Sequence, residues 1–297
     1  MSELHLSKAE EQVHQYFSHQ ATKALANETL KTYRIVLQTH LMRFCNQHGI
    51  TELNNQEFLF HIDDYIDYFR ISGCTGQTIQ SYLTVTKLLF RFLGMPLVYT
   101  YRVPRNDRRA YDLKHEKRWF RDRHIALCRT YRFPTNHTRN HILVRLLIET
   151  GAREDEIAHI KIGDVNIRGK RLLLPYSKTI PRTVFFSEET AIHLENLFRE
   201  KYPDQVSCAL MPLFPGKSQI YKIITAMLAD LGLKSSGDGR GPHTFRHYFA
   251  TDLYFVQHVP LVEIGFMMGD TPDTVSKNYL HPTPEMLQNS VRKVSGM

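Results

Sequence analysis

Apolar residues recur at helical spacing through the first third of the chain, and glycine and asparagine separate the apolar segments. A capping-box pair, Ser7 and Glu10, precedes the first of these segments. The pattern predicts four helices, which begin near Ser7, Thr29, Gln56 and Gly76. The last of them ends at Gly94. We therefore expect an all-helical first domain.

The second half mixes two periodicities. Apolar runs at Arg171–Pro175 and Thr183–Phe186, joined by the polar turn Ser177–Thr179, predict a small antiparallel sheet. Helical patterns surround it, at about 141–149, from 154, and at 188–202, 218–231, 242–255, 261–268, 272–280 and 284–294. The fold class expected is therefore mainly α, with a four-helix N-terminal domain and a mixed α+β second domain.

A chain of 297 residues is longer than one hydrophobic core usually covers, so two domains are expected. The change of character near Tyr101 places the first domain at residues 1–100. A basic linker follows at 101–115, and the second domain takes residues 116–297.

The chain carries a formal net charge of +8, which favours a polyanionic partner such as nucleic acid. Basic residues concentrate around the predicted linker, where they are placed to follow a phosphate backbone. A charge run of this kind is also typical of an ordinary solvated face. The DNA contacts that we predict are Lys87, Arg91, Arg102, Arg105, Arg108 and Arg109.

The cysteines Cys45, Cys74, Cys128 and Cys208 are scattered and form neither a CxxC motif nor a Cys/His cluster. This spacing indicates buried thiols in a reducing compartment, with no metal site and no disulfide framework. The polar N-terminus lacks the apolar core of a signal peptide, and the sequence offers no membrane-length apolar run. We expect a cytoplasmic protein without a membrane partner.

The segment that begins at His243 carries the first candidate phosphate-binding residues. His243 and Arg246 are three residues apart on a predicted helix, so both project from one face. An imidazole and a guanidinium that converge can hold a phosphate, the arginine through two parallel hydrogen bonds. An isolated HxxR pair is more often an ordinary surface pair, so the rest of the chain must support this interpretation.

Arg153 directly follows a glycine turn at the start of a predicted helix. A helix N-terminus disfavours a cation, so this arginine suggests a phosphate bound nearby. Glu156, three residues later, is placed to orient the guanidinium through a salt bridge.

Tyr279 ends a short predicted helix downstream of the HxxR segment. Because the chain has 15 tyrosines, most of them must be core or surface residues, and only position within a pattern singles one out.

Together these blocks resemble the tyrosine recombinase (phage integrase) family over essentially the whole chain. Arg153 in the GxRxxE block and Arg246 in the HxxR block match the family's two arginines. Lys178 matches its strand-turn lysine, and Tyr279 in a YxH ending matches its nucleophile. In the first half, Thr29–Tyr33 and Thr78–Leu83 resemble its core-binding domain.

One position departs from the family pattern. Asp270 stands where the family usually has histidine or tryptophan. A carboxylate at 4 Å from a phosphate charge, at an effective dielectric near 20, opposes binding by about 4 kcal/mol. An offset is required: a hydrogen bond from Tyr279 or an arginine, protonation of Asp270, or a site that stays inactive until partners assemble.

The resemblance implies metal-free and cofactor-free strand cleavage. In that scheme Tyr279 attacks the phosphate to give a 3′-phosphotyrosyl link, while Arg153 and Arg246 clamp the non-bridging oxygens. His243 assists the arginines or takes the tyrosine proton, and Lys178 protonates the leaving oxygen.

The implied partners are double-stranded recombination sites, bound by four protomers on two sites. The chain is then a monomer when free, and DNA-bending or directionality proteins are possible accessories. The segment Pro284–Met297 either docks on a neighbouring protomer or packs on its own domain. Binding to chromosomal DNA associates the protein with the nucleoid.

Two other functions fit the same residues. A type IB topoisomerase-like enzyme nicks and reseals a single duplex, although the helical first domain and compact length favour recombination. A DNA-binding accessory protein with a silent site is favoured by Asp270 alone, and cleavage of a suicide substrate distinguishes it from an enzyme. A basic protein unrelated to DNA requires every motif match to be accidental.

Overall fold

The computed structural model describes residues 7–21, 25–105, 119–177 and 181–295. It divides into two compact units, Met1–Leu113 and Lys114–Met297. Three of the predicted site residues, Arg108, Arg109 and Lys178, lie outside the described residues, as does most of the predicted linker. The domain boundaries at 100 and 115 therefore stay predictions.

The described part of the first unit is helical, as predicted. The predicted second helix is continuous from Asn27 to His48, with a π-helical segment at Ile35–Leu41 between two α-helices. The α-helices are α1 (Lys8–Ala21), α2 (Asn27–Arg34), α3 (Met42–His48), α4 (Asn55–Phe60), α5 (Ile62–Ile71) and α6 (Gly76–Phe92).

The predicted third helix is two helices that meet at His61. Asn54 caps α4, because its side chain accepts hydrogen bonds from the backbone N–H groups of Gln56 and Glu57. His61 then leaves helical geometry, and α5 starts afresh. Aromatic side chains fill much of the core of this unit, including Phe44, Phe58, Tyr65, Phe69 and Phe90.

The second unit carries the sheet among helices. Its described helices are α7 (Asp122–Thr130), α8 (His137–Thr150), α9 (Glu154–Ala158), α10 (Glu188–Lys201), α11 (Lys217–Asp230), α12 (Pro242–Phe255), α13 (Leu261–Met268), α14 (Pro272–Asn278) and α15 (Pro284–Ser295). Helix α7 lies in the basic segment for which the sequence predicted no helix. The mainly α fold with a small sheet is confirmed.

The described strands form one antiparallel sheet in the order β1 (Val165–Asn166), β2 (Arg171–Leu174), β3 (Arg182–Phe185). The apolar alternation buries Leu172, Leu174 and Val184 against the core of the unit. Leu174 pairs with Arg182, so Arg182 stands at the end of the hairpin that carries the predicted catalytic turn.

Helix α8 lies at the centre of this core and packs against α10 and α12. Its apolar side chains are buried nearly all round, which is typical of a helix enclosed by others. Gly151 ends the helix with φ +58°, and its carbonyl accepts a hydrogen bond of 2.6 Å from Arg246 of α12. The C-terminus of α8 is thus tied to the helix that carries the HxxR motif.

Across the ranges described above, the structure has no helix with the length and apolarity needed to cross a membrane.

Replacement of Gly151 by alanine tests this junction. Its new Cβ would lie 2.4 Å from Cδ1 of Phe249, in a backbone conformation that L-residues rarely adopt. Gly232→Ala is the matched control, because Gly232 also has positive φ but has no atom near the added Cβ. We expect Gly232→Ala to cost about 1–2 kcal/mol and Gly151→Ala to cost a further 1–3 kcal/mol, roughly, in urea unfolding. Equal losses would show that the Phe249 contact is relieved without cost.

Candidate active site

Arg153 occupies the N-cap position of α9, with an extended backbone at φ −73° and ψ 149°. Its backbone N–H donates to Oε2 of Glu156 at 2.7 Å, and its Nη1 donates to Oε1 of the same carboxylate at 3.1 Å. The predicted salt bridge with Glu156 is therefore present. The other guanidinium nitrogen, Nη2, donates to both carboxylate oxygens of Asp270 at 2.8 Å.

Arg246 is fully buried on α12. It donates to the carbonyl oxygens of Gly151 (2.6 Å) and Met268 (2.7 Å), and its Nη2 also donates to Oδ2 of Asp270. Its Nε is buried and has no hydrogen-bond partner among the described residues. A buried donor without a partner is costly, so this N–H is an unsatisfied group of the site.

Asp270 follows a glycine turn at the end of α13. Gly269 takes φ +64°, and the Asp270 N–H donates to the carbonyl of Gly265 at 3.0 Å. A Cβ at Gly265 would lie 2.8 Å from the Asp270 carbonyl oxygen, so the turn is tightly packed. This geometry aims the carboxylate between Arg153 and Arg246. Of the offsets that the sequence left open, hydrogen bonding to arginine is the one that the structure contains.

Arg182 is a site residue that the sequence analysis missed. Its Nη1 and Nη2 each donate to one oxygen of Glu156 at 2.8 Å, and its Nε donates to the Met267 carbonyl at 2.8 Å. Ser177 also donates to Glu156, at 3.0 Å. The residues that flank Lys178 on either side of the turn therefore both contact Glu156.

The Glu156 carboxyl is nearly inaccessible to solvent. Burial by itself raises its pKa, but the hydrogen bonds and charge of Arg182, together with the backbone N–H and charge of Arg153, outweigh that effect and lower the pKa to about 2. The pKa of Arg153 is raised, because the attraction of Asp270 and Glu156 outweighs the opposing effect of burial. Glu156 is thus an ionised anchor for both guanidinium groups.

Three arginines and two carboxylates form one alternating chain in this unit, in the order Arg182, Glu156, Arg153, Asp270, Arg246. Each buried charge faces an opposite one, as buried ions require. The formal charge of the five side chains is +3 − 2 = +1.

Tyr279 lies beside this chain of charges, at the C-cap of α14. Its side chain is largely buried, and its ring centroid lies 5.0 Å from Cζ of Arg246 and 5.6 Å from the ring of His243. His243 is solvent-exposed on the first turn of α12, while Arg246 points inward. The structure therefore brings together six predicted site residues: Arg153, Glu156, His243, Arg246, Asp270 and Tyr279.

Aromatic side chains that the sequence analysis gave no role also surround Tyr279. The His247 ring lies 5.0 Å from the Tyr279 ring, and Nδ1 of His247 lies 3.1 Å from Nε2 of His281. Trp119 stacks on His281 with ring centroids 3.7 Å apart. The HxxRH and YxH spacings could have drawn attention to the two histidines, whereas no local pattern marks Trp119.

The DNA contacts predicted in the first unit differ in exposure. Arg91, Arg102 and Arg105 are solvent-exposed. Lys87 is half-buried, and its Nζ donates to the carbonyl oxygen of Tyr99. Its ammonium group therefore has a structural partner within its own unit.

One group in the described residues brings possible metal ligands together, namely His48, His61 and Asp64, with their ligand atoms within 4.8 Å of one another. His48 and Asp64 are exposed, and Nδ1 of His61 lies 3.5 Å from Oδ2 of Asp64, three residues later in the sequence. We assign no metal to them, because exposed groups of this kind occur widely without an ion.

Comparison with known proteins places the site within a recognised domain. The model of the phage integrase family matches residues 123–286, which include every described residue of the charge chain and Tyr279. Tyrosine recombinase XerD of Staphylococcus epidermidis is 25% identical over 292 residues, which cover 91% of this chain and 92% of that protein. Tyrosine recombinase XerA of Saccharolobus solfataricus is 27% identical over 157 residues, which cover 52% of this chain and half of that protein.

Among solved structures, the integrase of the transposon Tn1549, in complex with transposon right end DNA, superposes with a TM-score of 0.69. The match covers 97% of this chain and 99% of that chain at 13% identity, so it shows a shared fold.

Substitution of Glu156 by glutamine tests the anchor. A pKa lowered from 4.5 to about 2 corresponds to about 3 kcal/mol of stability at neutral pH. Because the folded-state pKa lies below the unfolded value, this contribution is complete above pH 4.5 and is lost as the pH falls towards 2. We expect Glu156→Gln to lower the free energy of unfolding by about 3 kcal/mol at pH 7, with a smaller difference from the wild type at pH 3.5.

The matched control is Glu188→Gln, which removes an exposed carboxylate that pairs with Lys170 at 2.8 Å. Urea titrations should show a loss below about 1 kcal/mol for this variant. A Glu156→Gln difference that stays constant from pH 7 to pH 3.5 would contradict the assigned ion pairs.

Proposed function

The chain belongs to the phage integrase family and is therefore a tyrosine recombinase, an enzyme of site-specific DNA recombination, and from this we propose that Tyr279 is its nucleophile and that Arg153 and Arg246 bind the attacked phosphate. We further propose that His243 and Lys178 serve the proton transfers and that Glu156 holds Arg153 in place.

The observation that carries this assignment is the convergence of two guanidinium groups beside a tyrosine ring. Arg153 and Arg246 come from different helices, yet both donate hydrogen bonds to the same carboxylate. Guanidinium groups bind carboxylates and phosphates in the same forked geometry. A pair of arginines that holds one small oxyanion can hold another in its place.

In the proposed mechanism the Tyr279 hydroxyl oxygen attacks phosphorus and the bond to the 5′ oxygen breaks. The product is a 3′-phosphotyrosine diester, so the energy of the phosphodiester bond is conserved. His243 accepts the phenolic proton, and Lys178 supplies a proton to the departing 5′ oxygen. A 5′ hydroxyl from another duplex reverses the steps and rejoins the strand.

The two arginines stabilise the transition state electrostatically. Charge accumulates on the non-bridging oxygens in the pentacoordinate transition state, and preorganised donors at those oxygens lower the barrier most. Arg246 is fixed by two backbone carbonyls and Arg153 by Glu156, so neither guanidinium has to be reorganised when the charge develops.

Asp270 accepts hydrogen bonds from both Arg153 and Arg246. We propose that its carboxylate is a stand-in for the phosphate and must give up at least part of these hydrogen bonds when DNA binds. Hydrogen bonds to charged groups contribute about 1.5–3 kcal/mol each. The loss of the Asp270 hydrogen bonds is nearly balanced because the arginines form new ones with the phosphate. The internal carboxylate therefore makes cleavage dependent on a well-placed phosphate.

The wider assembly is proposed on the family alone. We propose that four protomers act on two double-stranded sites, that accessory DNA-bending or directionality proteins take part, and that the chain moves or resolves DNA elements in the cytoplasm, at the nucleoid. The net charge of +8 supports tight and salt-dependent contact with DNA backbone. Exposed Arg91, Arg102 and Arg105 are the proposed backbone contacts of the first unit.

A duplex that carries a nick near the cleavage point tests the nucleophile, because loss of the short fragment traps the covalent intermediate. We expect a protein–DNA adduct on denaturing gels with the wild type and none with Tyr279→Phe, which lacks only the attacking oxygen. Tyr254→Phe is the control, since Tyr254 lies in the same apolar cluster and should retain the adduct. An adduct that survives Tyr279→Phe would assign the nucleophile elsewhere.

Asp270→Asn tests the stand-in. The amide keeps the shape of the side chain but removes the charge that competes for the arginines, so we expect orthovanadate to bind about 10–100-fold more tightly by calorimetry. Asp273→Asn is the matched control, because it makes the same charge change at an exposed residue paired with Lys277 at 2.9 Å, and should leave the affinity within about twofold. Weaker vanadate binding by Asp270→Asn would mean that Asp270 orders the arginines for the anion.

A further inference from the structure

A second set of side chains, separate from the arginines, fixes the position of Tyr279. His281 is stacked on Trp119, with ring centroids 3.7 Å apart and an angle of 6° between the planes. Trp119 also covers His247 at 4.1 Å, and His247 in turn contacts the Tyr279 ring at 5.0 Å. The nucleophile thus has a layered aromatic support on the side of its ring that faces His247.

The backbone around Tyr279 is held by the same helix that carries His247. The Thr251 hydroxyl donates to the Tyr279 carbonyl at 3.0 Å and accepts from the His281 N–H at 3.1 Å. Thr251 is buried, so these bonds are protected from water. Helix α12 is therefore hydrogen-bonded to the backbone of Tyr279 and to that of His281.

The hydrogen bond between the two imidazoles has a defined direction. Nε2 of His281 lies 3.1 Å from Nδ1 of His247 and also 3.1 Å from the Asn278 carbonyl oxygen. A carbonyl oxygen only accepts, so Nε2 of His281 carries the hydrogen and Nδ1 of His247 offers a lone pair. Each imidazole consequently has one required atom: a donor at the Nε2 position of residue 281 and an acceptor at the Nδ1 position of residue 247.

We propose that His247 and His281, stacked on Trp119, are positioning residues that hold the Tyr279 ring in the orientation for in-line attack. The inference rests on the proposed role of Tyr279 as nucleophile. Tyr279 lies at the end of a helix of only seven residues, so the orientation of its ring is set by tertiary contacts such as these. Misplacement of a reacting group by about 1 Å costs on the order of 100-fold in rate.

Amide substitutions of matched size test the geometry. Asparagine can place an acceptor near the Nδ1 position and glutamine can place a donor near the Nε2 position. His247→Asn and His281→Gln should therefore keep the hydrogen bond, whereas the reversed pair, His247→Gln and His281→Asn, should lose it. The measured quantities are the single-turnover rate of adduct formation on the nicked duplex at saturating protein and the Kd for the same DNA.

We expect the matching amides to cleave within about fivefold of the wild type and the mismatched amides to cleave about 10–100-fold more slowly, with Kd unchanged in all four. His193→Ala is the control for loss of a histidine elsewhere in the unit and should cleave at the wild-type rate. Thermal unfolding midpoints establish that every variant is folded.

Matching and mismatched amides that cleave at one common rate, or losses confined to Kd, would overturn the positioning role. Failure of the proposed function is a separate outcome, because the wild type would then form no adduct that Tyr279→Phe abolishes. A wild-type adduct with four unaffected amide variants leaves the recombinase assignment intact and excludes only the positioning role of His247 and His281.

Discussion

The charge chain from Arg182 to Arg246 is the interaction on which the site depends. Arg246 is completely buried, and a buried guanidinium without partners would destabilise the fold by several kcal/mol. Asp270 offsets that cost at Arg246 and also pairs with Arg153, while Glu156 pairs with Arg153 and Arg182. The same bonds join β3, the start of α9, α12 and the turn after α13, so the charge chain is complete only when these four elements are packed together.

This arrangement explains why cations that are useful for phosphate binding can be stored in a protein interior. Glu156 is shielded from solvent and stays ionised because its pKa lies near 2, so it remains an anchor whether or not a ligand is present. Asp270 differs from it, since its side chain is partly accessible and follows a turn instead of lying inside a helix. Of the two carboxylates in the charge chain, Asp270 is therefore the more exposed.

Local signals in the sequence predicted most helices, the hairpin and the place of Arg153 at a helix start, because each depends on neighbours along the chain. Tyr279 could be selected from 15 tyrosines only by its place in the family pattern. Arg182 could not be recognised, since its partner Glu156 is 26 residues away and the pairing exists only after the sheet packs on α9. The sequence marked Asp270 as a departure from the family pattern. Its contacts with the two arginines could not be predicted, because they depend on how the turn after α13 packs in the folded unit.

The formal charge of the cluster gives the departure at Asp270 a physical meaning. When the Asp270 carboxylate is hydrogen-bonded to the arginines, the formal charges of the five side chains sum to +1. This low net charge favours stability of the site without DNA. If the Asp270 carboxylate withdraws, the remaining four sum to +2, which matches the charge that develops on a phosphodiester during attack by a tyrosinate. A histidine or tryptophan at this position would leave the arginines without an internal counter-charge. We propose that an aspartate here stabilises the site without a ligand and slows its reaction, and that a bound phosphate takes over the hydrogen bonds that Asp270 gives up.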